Sequence, residues 1–112
     1  MKVLAEISVG ELFDKITILN IKTKKIEDKQ KLKNILKELN TLNEQATKID
    51  ISDKLSLDDQ VKKLQSINEE LWDIENFKRE CEANKDFGKN FIKLSRDVHF
   101  LNDNRAKIKL EI

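Results

Sequence analysis

The stretch SVGELFDKITILNIK, residues 8–22, decides how the chain folds. Ser8 has the chemistry of a helix N-cap, and Glu11 follows at capping-box spacing. At about 100° per residue, Leu12, Phe13, Ile16, Leu19 and Ile26 share one face of the helix that follows. Ile18 and Ile21, with Asp14 one turn earlier, fall on the opposite face. A helix that is apolar on two sides has to be surrounded by protein. The helix over residues 9–26 is therefore the expected hub.

Outward from this helix, the pattern stays helical. Leu32, Ile35, Leu36, Leu39, Leu42, Ala46 and Ile49 form a single stripe at three-four spacing, which predicts a one-sided outer helix over residues 29–48. Residues 50–56 read as a loop. Ser56 is the expected cap of a third helix that runs to Ala83, with Asp58 and Asp59 in its first turn. Its stripe is Leu57, Val61, Leu64, Ile67, Leu71, Trp72 and Ile74. Residues 84–88 form the next connection, with Asp86 as cap. A fourth helix then runs to the end, carrying a main stripe (Phe87, Phe91, Leu94, Val98, Leu101, Ile108, Ile112) and a second one (Ile92, His99, Ala106, Leu110). The expected architecture is one all-α domain over residues 1–112, an antiparallel bundle of three to four long helices, oligomeric because the first and fourth helices carry surplus apolar surface.

Composition agrees. Of 112 residues, 38% are charged and 38% apolar, with no proline and two glycines, a balance that suits solvent-lined helices. The net charge of +1 comes from interspersed acids and bases, which argues against nucleic-acid binding. A single cysteine, Cys81, excludes an internal disulfide and a cysteine-based zinc site. No apolar run has membrane-spanning length, and the first residues do not read as a signal peptide, so a cytoplasmic protein is expected.

The informative residues are polar ones in apolar stripes. Asn68 and Glu75 sit on the core face of the third helix, and Arg105, flanked by Asn102, on that of the fourth. A third and fourth helix folded about residues 85–86 bring Asn68 level with Asn102 and Arg105, and put Glu75 near Leu94 and Ser95. An antiparallel first helix brings Asp14 or Lys15 to Arg105. The expected cluster is Asn68, Asn102 and Arg105, with Asp14 or Glu75 as counter-charge, since an unpaired buried charge costs several kcal/mol. It reads first as a register device for the helices. The alternative is an anion or ligand pocket using Arg105 and Arg96.

His99 and Cys81 read as packing residues. No Glu-x-x-His pair supports a di-metal site, no Gly-rich phosphate loop is present, and neither metal nor cofactor is expected.

The motifs Gly10-Glu-Leu-Phe-Asp-Lys-Ile-Thr-Ile-Leu, Asn68-Glu-Glu-Leu-Trp-Asp-Ile-Glu and Asn102-Asp-Asn-Arg-Ala-Lys-Ile resemble the signature of a family of small uncharacterised bacterial and phage proteins, described as a domain of unknown function. The resemblance covers nearly the whole chain and implies a short helical protein. Its motif includes Glu11, Asp14, Lys15, Asn68, Trp72, Glu75, Asn102 and Arg105. Some relatives are encoded near surface-polysaccharide or glycosyltransferase genes, which implies a client among glycan-assembly enzymes.

The reading from sequence is a non-enzymatic helical interaction module, a homodimer with a possible partner protein, acting through Ile18, Ile21, Trp72, Ile92 and Phe100. The alternative is a small helical ligand binder or enzyme of chorismate-mutase-like architecture, with an anion pocket at Arg105.

Overall fold

The computed structural model describes residues 1–50 and 52–112. It holds four helices: α1 (Val9–Lys25), α2 (Lys29–Thr47), α3 (Lys54–Ala83) and α4 (Lys89–Glu111). Ser8 caps α1 by accepting the Glu11 N–H at 3.1 Å. Asp28 caps α2 by accepting from Gln30 and Lys31.

Two expected caps differ. α3 begins at Lys54, ahead of Ser56, because the Asp53 carboxylate accepts the Ser56 N–H at 3.0 Å. This places Asp58 and Asp59 beyond the start of the helix. Ile51, inside the expected loop, lies outside the described residues. At α4 the cap residue is Gly88, without a side-chain cap bond. Asp86 instead accepts the Gly88 N–H at 3.2 Å and braces the turn.

The α3–α4 turn is closed by two backbone bonds, Asp86 N–H to Cys81 C=O at 2.8 Å and Lys85 N–H to Glu82 C=O at 3.2 Å. That is a Schellman ending, and it puts Lys85 in the left-handed region at φ 54°. A side chain there is strained and glycine is not. Lys85→Gly is expected to raise stability by about 0.5–1 kcal/mol, read as an upward shift in the thermal midpoint.

α1 is the hub, packing against each of the other three helices, whereas α2 packs against α1 alone among the described residues. The two apolar faces of α1 divide the interior. Leu12, Ile16 and Leu19 meet Leu39 of α2, with Phe13, Ile35 and Leu42 packed around them. On the other face, Thr17 and Ile21 are buried, as are Leu64 and Asn68 of α3. The architecture is thus a three-helix bundle of α1, α3 and α4 with α2 strapped to the outer side of α1.

α1 and α4 run antiparallel: Asp14 meets Arg105 and Gly10 meets Lys109. A 30-residue α3 is about 45 Å long and a 17-residue α1 about 26 Å. The far part of the α3–α4 hairpin therefore extends past α1. The radius of gyration of 16.1 Å reflects this, against about 13 Å for a compact chain of this length. The main stripe of α4 is only half covered, and none of its described residues is buried.

Candidate functional site

The site grows from one carboxylate. Asp14 lies on the inward face of α1, and its side chain is 3% exposed. Burial alone pushes its pKa up. The hydrogen bonds from Arg105 and Asn68, and the charges of Arg105 and Lys109, outweigh burial and hold it below the ordinary carboxylate value.

Arg105 reaches Asp14 from α4 with two donors. Its Nε lies 2.9 Å from Oδ1 and its Nη2 lies 2.5 Å from Oδ2. This fork-on-carboxylate geometry is the strong form of the pair. Asn68 approaches from α3. Its Nδ2 donates to Asp14 Oδ1 at 3.0 Å and to Thr17 Oγ1 at 2.9 Å. The Thr17 hydroxyl in turn donates to the Asp14 backbone carbonyl at 2.8 Å. An ionised carboxylate only accepts, so the Asn68 amide nitrogen has to face Asp14 and its oxygen faces away.

Lys109, one turn beyond Arg105, places its Nζ 2.5 Å from Glu11 Oε1 and 3.7 Å from Asp14 Oδ2. Two acids meet two bases, and the network is neutral. It ties three helices together, with Asp14 at the centre.

Of the cluster residues expected from sequence, the structure brings together Asp14, Asn68 and Arg105. Asn102 sits exposed at the edge, accepting from Arg105 Nη1 at 3.4 Å. Lys15 does not join. One residue beyond Asp14, it is turned about 100° away and is exposed. Glu75 is exposed as well and is not the counter-charge. Thr17 and Lys109 were not legible as members. The signals were their positions three and four residues from Asp14 and Arg105, where a helix repeats its face.

The expected interface residues separate into two groups. Ile21 is 2% exposed and serves the interior of the single chain, because the Asp14 face of α1 turns towards α3 and α4. Ile18 and Trp72, half-buried, wall a cleft of about 330 Å³ that also reaches Asn68, Glu75, Arg79 and Arg105. Ile92 and Phe100 are exposed on α4, at 57% and 54%. His99 lies between them and is not a packing residue: its side chain is 72% exposed, 3.7 Å from Asp103. Cys81 is half-buried.

Among the described residues no group of His, Cys, Asp and Glu is arranged to hold a metal ion. No described helix is long and apolar enough to cross a membrane. No curated protein and no solved structure matches the chain. The sequence profile of a family of unknown function (DUF6165) matches residues 1–112, and the chain belongs to that family.

Proposed function

We propose that the chain is a non-enzymatic helical interaction module that pairs with a second copy of itself through the projecting α3–α4 hairpin. One observation carries this: Ile92 and Phe100 stand more than half exposed on α4, eight residues apart on one face. Helices with an uncovered apolar stripe are stabilised by covering it.

The face suits a two-fold pairing. Along it run Lys89, Ile92, Arg96, His99, Phe100 and Asp103. A second α4 laid antiparallel, with the axis near residues 95–96, sets Ile92 against the His99–Phe100 edge of the other copy and Lys89 near Asp103. Opposite charges then meet at both ends, and the two Arg96 side chains at the axis have to turn outward to solvent. The engagement of Arg105 by Asp14 through two of its nitrogens supports this reading over an anion pocket. A client among enzymes of surface-polysaccharide assembly, which the family resemblance implies, belongs to this proposal.

The test is the double substitution Ile92→Glu with Phe100→Glu. Light scattering is expected to give about twice 13.1 kDa for the wild type and 13.1 kDa for the variant, with unchanged helical circular dichroism. Equal masses for the two proteins would remove the hairpin as the interface.

A further inference from the structure

Two features of the chain stand uncovered in a single copy. Residues 1–8 form neither helix nor strand, and Val3, Leu4 and Ile7 are 84%, 104% and 48% exposed. The second feature is the cleft beside the Asp14 network. Its wall is Ile18, Leu71 and Trp72, and its rim carries Glu75 and Arg79. Neither rim charge belongs to an ion pair among the described residues.

We infer that the cleft receives the extended N-terminal arm of a second copy of the chain. The inference rests on the self-association proposed above for the identity of the partner, and not on the hairpin surface.

Length fits first. On one face of α3, Asn68, Trp72, Glu75 and Arg79 follow at spacings of four, three and four. At about 1.5 Å per residue this row is roughly 16 Å long. An extended strand covers that distance in about five residues, which is the reach of residues 3–7.

Chemistry fits next. The arm carries one base and one acid, Lys2 and Glu6, among apolar residues, and the rim offers one acid and one base, Glu75 and Arg79. Arg105 brings no surplus charge, being neutralised by Asp14, so an uncharged backbone is better suited to the cleft than an anion. The side-chain amides of Asn68, Asn76 and Asn102 line it. Asn76 offers both a donor and an acceptor, Asn68 keeps its amide oxygen and Asn102 its amide nitrogen, and an extended backbone presents the complementary groups.

The arm of the same copy is badly placed. It leaves α1 at Val9, whereas the cleft lies against Ile18 and Ile21, two to three turns further on. Ser8 is held extended (φ −70°, ψ 161°) as the helix cap, and laying the arm of the same copy back along α1 needs a chain reversal next to it. Exchange with a second copy buries Val3, Leu4 and Ile7 without bending the cap.

Trp72 is the single tryptophan of the chain and lies in the cleft, so its emission reports occupancy directly. The test compares the full-length wild type, Val3→Asp with Leu4→Asp, and the hairpin double variant, each over a concentration series read by fluorescence and light scattering. Wild-type emission is expected to move to the blue as dimer forms. In the arm variant, emission stays at its red position and dimerisation weakens at least tenfold. A synthetic peptide of residues 1–8, added to the monomeric hairpin variant, is expected to restore the blue shift.

Identical Trp72 emission in wild type and arm variant at every concentration, with no response to the peptide, would overturn the arm–cleft contact and leave the hairpin interface standing. A hairpin variant that remains dimeric while the arm variant is monomeric would do the reverse. A wild type that is monomeric throughout and unresponsive to the peptide overturns both.

Discussion

Arg105→Met is expected to lower stability by about 3–5 kcal/mol at pH 7, the cost of leaving a buried charge without its partner. Whole domains are stable by about 5–15 kcal/mol, so this is a large fraction of the total. The thermal midpoint should fall by roughly 15–25 °C. Methionine keeps much of the bulk and flexibility of the arginine stem, so the loss reports the charge pair more than packing. Lys109, 3.7 Å from Asp14 Oδ2, is the remaining cation and softens the loss without removing it.

The pH dependence carries a sign. In the wild type the Asp14 pKa is lowered, so its contribution is complete above the ordinary value of 3.8 and is lost as pH falls through the lower folded value. In the variant both contributions of Arg105 are gone, burial is opposed only by the Asn68 hydrogen bond and the Lys109 charge, and the Asp14 pKa moves up from its wild-type position. The variant then loses less stability than the wild type as pH falls. The gap between the two proteins should narrow from pH 7 towards pH 4, which urea melts at several pH values would measure. A gap below about 1 kcal/mol at pH 7 would show that Asp14 is solvated through the cleft and that the pair is dispensable.

Gly10→Ala is the second large effect. Alanine favours a helix over glycine by about 1 kcal/mol, and propensity alone predicts stabilisation. Gly10 is buried where the start of α1 crosses the end of α4, and an added Cβ would run into the backbone carbonyl of Lys109. Backbone cannot swing aside as a side-chain tip does. The last turn of α4 would have to move, and it carries Lys109 and is continuous with Arg105. A net loss of about 1–3 kcal/mol is expected, seen as a lower thermal midpoint. A raised midpoint would mean that the two helices do not approach this closely.

Most of the fold was legible because helical periodicity leaves plain marks. The two apolar faces of α1 told that it would be surrounded, and the single stripe of α2 told that it would lie outside. The polar residues Asn68 and Arg105 stood out against apolar stripes, and an antiparallel α1 was needed to bring Asp14 to them. What escaped was finer than a stripe. Choosing between Asp14 and Lys15 depends on a single 100° step, and both are charged. Asp53 and Ser56 are both good caps, and only the backbone path selects between them. Gly10 carried no mark, since a glycine near a helix start looks the same whether it answers to a neighbouring backbone or to nothing. The surplus apolar surface of α4 was legible from its two stripes, whereas that of α1 was not surplus, since Ile21 is buried within the single chain.

In the proposed pairing the bare hairpin face, and not the Asp14–Arg105 network, is the working surface. Nitrogen–proton correlation spectra of the full chain over a dilution series test it most directly. The amide resonances around Ile92 and Phe100 are expected to move with concentration, while those of Asp14, Thr17 and Arg105 stay fixed. Spectra in which the α4 resonances are independent of concentration up to about 1 mM would contradict the claim.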